Sequence, residues 1–309
     1  MIETYTLSQV ERKRVRTLLL DIVRDERNLE EHAFLDQALL FAQELPLELR
    51  RAFHRFKLHE PAPCLLVTNN PVEPSDVGPT PGSHLGPGVG RPLTLPQLLH
   101  GLYASLLGEP FGFETQQFGR VFNDLISIEG QPSNSSSGCG QIGLHTEDCV
   151  KPFMPDYLGL FCLRNDTGAQ SLLSSIWELD LSDAIRDQLM TPEFPELAGG
   201  AKRALLFGSR SHPYLRYGSI DASRCDPRAL HALRYLTEAL EANRQAVTLR
   251  QGDGLYIDNF HTVHGRAPFT PLYGPQARWF SRLVMMRDLR RTRAMRAAAG
   301  SRVILDRAG

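Results

Sequence analysis

The first hundred residues place apolar side chains at helical spacing among charged ones. Apolar residues recur every three to four positions from Leu7 onward and again over 29–56. This period is typical of helices that bury one face. A short apolar run at 63–68 predicts a strand, and the helical pattern returns over 95–107 and ends before Gly108.

The pattern changes near residue 111, where short strand-like runs separated by turns replace the helical period. The predicted strands are 113–117, 121–128, 142–147, 157–163, 172–177, 202–207, 246–249, 254–258 and 278–286. One helix interrupts them at 226–243, with four leucines along one face. Many short strands behind a helical cover favour an α+β fold with a double-stranded β-helix core, the jelly-roll architecture that includes cupins.

The chain has 309 residues, which is long for one domain, although β-barrel enzymes can exceed the usual size as one unit. We predict a single domain over 1–309: mainly helical cover and loop over 1–110, the jelly-roll core over 111–290 and a C-terminal tail over 291–309. The Pro- and Gly-rich stretch 69–92 is predicted to be a long loop, either a binding loop or lid or a disordered segment. The Ser/Gly segment 131–140 is interpreted as a mobile lid over substrate or, equally, a disordered surface loop.

Charge and composition narrow the possible partners. The net charge is −1, and no long block of one sign occurs, which argues against nucleic acid or an anionic membrane as the main partner. No stretch reaches the roughly 18 to 20 apolar residues of a membrane helix, and the N-terminus lacks a signal-peptide core. The five cysteines are scattered, so neither disulfides nor a zinc ribbon is expected. We expect a cytoplasmic protein with a small-molecule substrate, and a homodimer is possible.

Candidate chemistry begins at His145-Thr146-Glu147. Alternate strand residues share a face, so His145 and Glu147 can reach one ion. His264, from a separate strand or its end, would complete two imidazoles and one carboxylate, the set that non-haem Fe(II) oxygenases use because it leaves coordination positions open. His261 lies three residues before His264, and that odd spacing on a strand would place it on the opposite face.

A single H-x-E is a weak signal, and the second half of the chain strengthens it. A strand opened by a Gly-Asp-Gly turn precedes His264, a turn follows that histidine, and Arg278 comes 14 residues after it and starts the next strand. A guanidinium at that place can form a bidentate pair with a carboxylate, which suits the distal end of 2-oxoglutarate.

Five motifs then resemble those of the 2-oxoglutarate-dependent oxygenases of the clavaminate synthase type, especially the amino-acid 3-hydroxylases that include arginine and asparagine oxygenases. The motifs are ETQQFGR at 114–120, GLHTED at 143–148, PDYLGLFCLRND at 155–166, GDGLYIDNFHTVHGRAPFTPLYG at 252–274 and RWFSR at 278–282. The similarity runs from about residue 106 to 286, whereas the N-terminal third is similar only in being helical.

The resemblance implies a role for each matching position. His145, Glu147 and His264 would bind Fe(II), while Arg278 would grip the distal carboxylate of 2-oxoglutarate, with O2 as the second co-substrate. Ser171 falls where the family usually has a Thr that supports this carboxylate. Gln117, with Gln116 as its alternative, and the free oxygen of Glu147 would lie near the substrate amino group. Arg282 would lie near the substrate carboxylate. Arg278 and Arg282 are four residues apart, so on a regular strand they share a face.

One departure limits the prediction. Arginine hydroxylases of the family present an acidic residue soon after a P-[FY]-L motif, and here that position is Gly218. A buried guanidinium without a carboxylate costs several kcal/mol by usual estimates, so free arginine is doubtful as substrate. Arg210 or Arg216 could instead meet an acidic group or a peptide-like extension, and Asp221 could restore a basic preference.

The sequence therefore predicts an Fe(II)/2-oxoglutarate-dependent dioxygenase of specialised metabolism, such as antibiotic biosynthesis. It would hydroxylate an unactivated carbon, with Cβ as the expected position, of an amino acid or a dipeptidyl or carrier-linked derivative. The carboxylate Glu147 favours hydroxylation over halogenation, and desaturation or ring closure stays possible. The competing classes are a zinc hydrolase, because His, Glu and His also bind zinc, and a jelly-roll binding protein without chemistry.

Overall fold

A computed structural model of the chain describes residues 2–25, 30–84, 92–197 and 199–306. Within this part, the helices are α1 Gln9–Asp25, α2 Glu31–Ala42, α3 Leu47–His59, α4 Pro74–Val77, α5 Leu95–Leu107, α6 Asp183–Leu189 and α7 Pro227–Ala242. The strands are β1 Ile2–Thr6, β2 Cys64–Thr68, β3 Glu109–Phe113, β4 Asn123–Ile126, β5 Ile142–His145, β6 Tyr157–Arg164, β7 Gln170–Ser175, β8 Phe194–Pro195, β9 Lys202–Arg203, β10 Leu206–Gly208, β11 Pro213–Leu215, β12 Gln245–Thr248, β13 Gly254–Asp258, β14 Thr262–Arg266, β15 Trp279–Met286 and β16 Val303–Ile304.

Some of the helices begin where polar side chains satisfy free backbone N–H groups. At α5, Thr94 and Gln97 form a reciprocal capping box, in which the side chain of each accepts from the backbone N–H of the other. This satisfies two backbone N–H groups that have no partner within the helix. At α7, the Asp226 carboxylate accepts from the N–H groups of Arg228 and Ala229. The predicted helix 226–243 is therefore confirmed, with its first residue acting as the cap.

Two sheets form the β core. The larger sheet has the strand order β1, β2, β13, β6, β15, β3, β16, with β4 also paired to β15. The smaller sheet has the order β12, β7, β14, β5. One apolar cluster contains side chains from both sheets, Phe280 and Leu255 from the larger and Leu173 from the smaller, so the two sheets pack face to face.

Helices cover the outer face of each sheet. Helices α1, α2, α3 and α5 share a buried cluster with the larger sheet, and α6 and α7 share another with the smaller sheet. Strand β15 shows the period of two that this layering requires. Trp279, Leu283 and Met285 face the helices, whereas Phe280 and Val284 face the smaller sheet. Even-numbered side chains of β15 therefore point between the sheets.

Several predicted elements differ from the structure. Strands β1 and β2 join the larger sheet, so the N-terminal region supplies strands as well as helical cover. The predicted strand 113–117 is wrong, because β3 ends at Phe113 and a turn with a short 3-10 helix follows. The predicted strand 202–207 divides into β9 and β10. In the C-terminal tail, β16 pairs with β3 and extends the larger sheet.

The two predicted loops also differ from each other. The stretch 69–92 contains the short helix α4, and its residues 85–91 lie outside the described residues. The segment 131–140 consists of turns whose backbone groups form hydrogen bonds within the segment and with residues outside it. No helix among the described residues is long and apolar enough to cross a membrane.

Phe53 of α3 anchors the helical cover to the larger sheet. Its ring centroid lies 5.1 Å from that of Tyr103 on α5 and 5.1 Å from that of Tyr256 on β13, and the side chain is fully buried. We expect Phe53→Ala to lower the free energy of unfolding by about 3 to 5 kcal/mol, because it removes these contacts and leaves a cavity. Chemical denaturation followed by circular dichroism would measure it.

Leu40→Ala on α2 is the matched control, because Leu40 is 69% exposed. Its denaturation midpoint should stay close to that of the unchanged protein. Equal midpoints for the two variants would contradict the packing described here.

Candidate active site

His145 and His264 are cross-strand neighbours on the smaller sheet. They lie directly opposite each other in the antiparallel pair of β5 and β14, with ring centroids 4.4 Å apart. Glu147 joins them, with its Oε2 3.3 Å from His264 Nε2. One ligand atom from each of the three residues lies within 4.8 Å of the others. The predicted triad is therefore assembled in space.

Close approach of the two strands depends on Gly265. A Cβ at this position would lie 2.5 Å from the carbonyl oxygen of Ile142 on β5, a distance that real Cβ atoms do not tolerate. The register shifts between His264 and Arg266 at the same place. The glycine of the V-H-G-R motif thus allows the strand bearing His145 to pack beside the strand bearing His264.

Glu147 is not held by strand pairing. Strand β5 ends at His145, so the predicted strand 142–147 is too long. Instead, the Glu147 N–H donates to Asn259 Oδ1 at 2.7 Å, and Asn259 Nδ2 donates to the Glu147 carbonyl at 3.1 Å. The fully buried Asn259 side chain also donates to the Pro155 carbonyl at 2.9 Å. The sequence reasoning missed this residue, whose signal was its place in the Y-I-D-N-F motif.

The protonation of His145 follows from its surroundings. Its Nδ1 lies 2.9 Å from the carbonyl oxygen of Gly143. Because a carbonyl oxygen can only accept, Nδ1 carries the proton. Nε2 is left with its lone pair available to a metal ion, because histidines that bind metals usually donate the other ring N–H to a carbonyl or carboxylate.

Arg282 forms the main charge contact of the triad. Its Nη2 lies 2.8 Å from Glu147 Oε1 and 3.2 Å from Asp148 Oδ2, and its Nη1 donates to Asn123 Oδ1 at 2.6 Å. Burial alone would raise the pKa of Glu147, but the charge of Arg282 and the hydrogen bond to His264 hold it well below its usual range. The Glu147 carboxylate is therefore ionised and ready to act as a ligand. Burial, together with the charge of Glu147, raises the pKa of Asp148 to about 6.

Arg278 is a buried cation without a counter-ion among the described residues. Only 7% of the residue is exposed, and its Nε and Nη1 atoms are buried without a hydrogen-bond partner. The guanidinium lies 4.4 Å from the centroid of the Phe280 ring. Burial, and then the charge of Arg266, lowers the pKa of Arg278 to about 9, so it stays charged at neutral pH. An unpaired buried charge is costly, and a carboxylate ligand would satisfy it.

One cavity of about 420 Å³ brings these groups together between the two sheets. It is lined by His84, Gln116, Gln117, Asn123, Leu125, Asn134, Ser136, Ile142, His145, Glu147, Leu160, Ser171, His264, Gly265, Arg266, Arg278 and Arg282. Ser171 lies on β7 opposite Arg266 of the neighbouring β14. Each residue predicted for the site therefore lines the same cavity.

Gln116 and Gln117, predicted as alternatives, are both at the site. Both side chains line the cavity, because this segment is a turn in which neighbouring side chains need not face opposite ways. Gln117 is engaged by Asp124, donating to its carbonyl at 2.9 Å and accepting from its N–H at 3.0 Å. Gln116 Oε1 accepts from Arg282 at 3.2 Å.

The remaining candidates lie outside this cavity. His261 Nδ1 is 3.0 Å from Asp258 Oδ2, and its ring packs at 42° against that of Trp177, so it lies away from His264 as expected. Arg210 pairs with Asp187 on the surface. Arg216 donates to backbone carbonyls at residues 149 and 151, and the carboxylate of Asp221 caps a short helix.

Comparison with known proteins identifies the class of site. Residues 195–284 match the family of the taurine catabolism dioxygenase TauD and TfdA. The chain is 32% identical to enduracididine beta-hydroxylase of Streptomyces hygroscopicus, over 92% of this chain and 96% of that protein. It is also 32% identical to L-asparagine oxygenase of Streptomyces coelicolor, over 82% and 80% of the two chains.

A solved structure of the non-heme iron oxygenase OrfP in complex with Fe and alpha-ketoglutaric acid covers 98% of this chain and 100% of its own, with a TM-score of 0.90 and 29% identity. The chain belongs to the Fe(II)/2-oxoglutarate-dependent oxygenases. This confirms the resemblance to the clavaminate synthase type that the motifs indicated. The oxygenase uses iron and 2-oxoglutarate. The two competing classes, a zinc hydrolase and a binding protein without chemistry, are therefore excluded.

Gly218 is packed against the strand of this oxygenase that carries His145. Its φ is +133°, and a Cβ there would lie 3.0 Å from Cys149 Sγ and 3.2 Å from His145 Cβ. We expect Gly218→Ala to destabilise the protein by more than about 2 kcal/mol, because it adds both backbone strain and crowding. Thermal unfolding would measure the effect.

The matched control is Gly168→Ala. Gly168 also has a positive φ, +64°, but open space around its Cβ position, so only the backbone penalty of about 1 kcal/mol should remain. A similar loss of stability in both variants would show that the contact of Gly218 with His145 is unimportant for stability.

Proposed function

We propose that this oxygenase hydroxylates an unactivated carbon, Cβ, of an amino acid or an amino-acid-derived substrate, dipeptidyl or carrier-linked forms included. The observation that supports this proposal most directly is a pair of buried guanidiniums that line the cavity of the His/Glu/His cluster, Arg278 just before β15 and Arg282 within it. The Nε and Nη1 atoms of Arg278 have no hydrogen-bond partner among the described residues, and Arg282 touches the cluster's carboxylate. Two carboxylate ligands, one from each reactant, suit this arrangement.

His145, Glu147 and His264 would hold the iron. The donor set of two imidazoles and a carboxylate fits Fe(II), and the spacing of their ligand atoms allows a single ion to contact all three. Iron bound there supplies the chemistry that couples decarboxylation of 2-oxoglutarate to oxidation of the substrate. Asn259 would keep Glu147 in place through its two backbone hydrogen bonds.

Arg278 and Ser171 would hold the distal carboxylate of 2-oxoglutarate. The guanidinium offers N–H groups that no described residue accepts from, and Ser171 offers a hydroxyl in the same cavity. The ring of Phe280 keeps the guanidinium plane in position. A charged pair formed away from water is strong because little solvent competes with it.

Arg282, Gln117 and the second oxygen of Glu147 would bind the amino-acid head. Arg282 would take the substrate carboxylate, while Glu147 and Gln117 would accept from the ammonium group. Arg282 already contacts Glu147 and Asp148, so it balances acidic charge that would otherwise repel the substrate carboxylate. With both ends of the head held, the carbon next to it, Cβ, would lie nearest the metal-binding cluster.

Two further points belong to this proposal. The two facing sheets would be the halves of a jelly roll, and residues 1–309 would act as one oxygenase domain that works in the cytoplasm. Hydroxylation is the proposed outcome, and desaturation or ring closure is the alternative within the same family, since the position of the substrate carbon decides between them.

The proposal is tested by His145→Ala. We expect loss of Co(II) binding, used as a spectroscopic substitute for Fe(II), and a fall in succinate formation by at least about 100-fold, because one of three ligands is removed. His231→Ala, an exposed histidine on α7, should change neither quantity. Activity with zinc but without 2-oxoglutarate would overturn the proposal.

The co-substrate site is tested by Arg278→Ala. We expect the KM for 2-oxoglutarate to rise about 10- to 100-fold, because at least one charged hydrogen bond of about 1.5 to 3 kcal/mol is lost. Arg290→Ala, whose side chain is 90% exposed and pairs only with Asp288 among the described residues, is the control. An unchanged KM in Arg278→Ala would contradict the assignment of this arginine.

A further inference from the structure

The C-terminal segment 302–306 contacts loops of the active site from outside the cavity. Strand β16 extends the larger sheet beside β3, and the chain continues from it to Asp306. The Asp306 carboxylate accepts two hydrogen bonds from Lys151 Nζ, at 2.6 and 2.7 Å, and one from the Thr115 hydroxyl. The side chains of Lys151 and Asp306 are only 20% and 21% exposed, so this charged pair is shielded from most of the solvent.

The two partners of this carboxylate lie in separate loops, 114–120 and 148–151. Thr115 immediately precedes Gln116, which lines the cavity. Lys151 closes the second loop, because its N–H donates to the carbonyl of the first residue of that loop at 3.0 Å. One carboxylate of the C-terminal segment therefore holds one residue of each loop.

The same two loops also meet at the proposed substrate-binding arginine. Gln116 Nε2 donates to Asp148 Oδ1 at 2.5 Å, and Gln116 Oε1 accepts from Arg282 Nη1 at 3.2 Å. Arg282 Nη2 lies 3.2 Å from Asp148 Oδ2. Arg282 is thus held by one residue of each loop as well as by Glu147, and a shift of one loop against the other would move its guanidinium.

The loop 114–120 needs outside support because its backbone is strained. Gln117 and Phe118 have φ values of +42° and +61°, and a left-handed conformation of two successive non-glycine residues persists only where the surrounding structure imposes it. The C-terminal segment supplies part of that support, since the Glu114 N–H donates to the Ile304 carbonyl at 2.9 Å. The hydrogen bond from the threonine hydroxyl in the same loop adds a second contact.

The C-terminal segment and the second loop are each fixed elsewhere as well. Arg302 Nη1 lies 2.6 Å from Glu109 Oε2, which anchors the segment to the larger sheet. The loop 148–151 has another support, because Arg216 donates to two of its backbone carbonyls. Loss of the Asp306 carboxylate should therefore loosen the two loops against each other without unfolding the protein.

We propose that Asp306 is a positioning residue of this oxygenase: it fixes Gln116 and Arg282 for the head of the substrate, although it does not itself line the cavity. This role rests on the proposed function, which assigns Arg282 to the substrate carboxylate. The co-substrate groups Arg278 and Ser171 belong to neither loop. Loss of the Asp306 carboxylate should therefore weaken binding of the amino-acid substrate and leave binding of 2-oxoglutarate unchanged.

The kinetic test compares Asp306→Ala with the unchanged protein. A panel of proteinogenic L-amino acids, offered free, as dipeptides and linked to a carrier protein, first identifies the substrate that gives the most succinate together with a hydroxylated product. In Asp306→Ala, the KM for this substrate should rise about three- to tenfold, because the groups that bind its head lose their fixed position. The value of kcat, the KM for 2-oxoglutarate and the affinity for Co(II) should each stay within about twofold.

Two further variants make the test specific. Asp25→Ala removes a carboxylate that pairs with Arg24 on the exposed surface of α1, and it should change neither KM. Lys151→Ala should raise the KM for the substrate by about the same factor as Asp306→Ala, and the double variant should be no worse than the stronger single one, because the two side chains act as one pair. Effects that multiply in the double variant would overturn the proposed action through Lys151.

Amide hydrogen exchange of the metal-free protein gives a readout that does not depend on turnover. Asp306→Ala should speed exchange in peptides that cover 114–120 and 148–151 by at least about threefold, and it should leave peptides that cover 254–266 unchanged. Unchanged exchange in both loops, an unchanged KM for the substrate, or an equal rise in the KM for 2-oxoglutarate would overturn the positioning role and leave the amino-acid oxygenase intact.

The proposed function fails on a different result. If no member of the panel gives coupled hydroxylation in the unchanged protein, the amino-acid oxygenase is overturned. The exchange measurement then decides by itself whether Asp306 fixes the two loops.

Discussion

The pairing of β5 with β14 is the constraint on which the rest of the site depends. It places His145 opposite His264, and it is possible because Gly265 leaves room for the carbonyl of Ile142. A shift of one residue in this register would turn one imidazole toward the helices α6 and α7 and away from the cavity. Leu144 and Val263, the neighbours on the opposite face, are buried against those helices. Burial of these two side chains therefore helps to hold the imidazoles inside.

Charge organises the other wall of the cavity. Strand β15 sends apolar side chains to the helical cover and places Phe280 and Arg282 toward the smaller sheet. Arg278, the residue just before the strand, lines the same cavity. The two guanidiniums have opposite environments. Arg282 is surrounded by acceptors from Glu147, Asp148 and Asn123, whereas Arg278 has a buried, unsatisfied edge. A guanidinium paired with two acids and a guanidinium without a counter-ion among the described residues thus stand four residues apart.

Strand prediction was successful where burial on one or both faces produced a clear pattern. The strand Gly254–Asp258 has the predicted bounds, and β6, β7, β12 and β15 differ from their predictions by one or two residues at an end. The failures have local causes. The predicted strand 113–117 contains four consecutive polar side chains, and Gln117 and Phe118 adopt positive φ values, which a strand does not allow. Strand β14 has no predicted bounds, since His264 is predicted only on a separate strand or its end with a turn after it, whereas the strand continues to Arg266.

The sequence by itself determined the composition of the site: two histidines, a glutamate and two arginines at spacings that strands can bring to one face. It also determined the family, since the motifs around these residues are specific. Only the tertiary structure decided how Glu147 is held, through the amide of Asn259 more than one hundred residues away. It also decided that Arg266 anchors the segment 131–140. Such contacts join side chains to backbone groups distant along the chain, and backbone groups have no signature in the sequence.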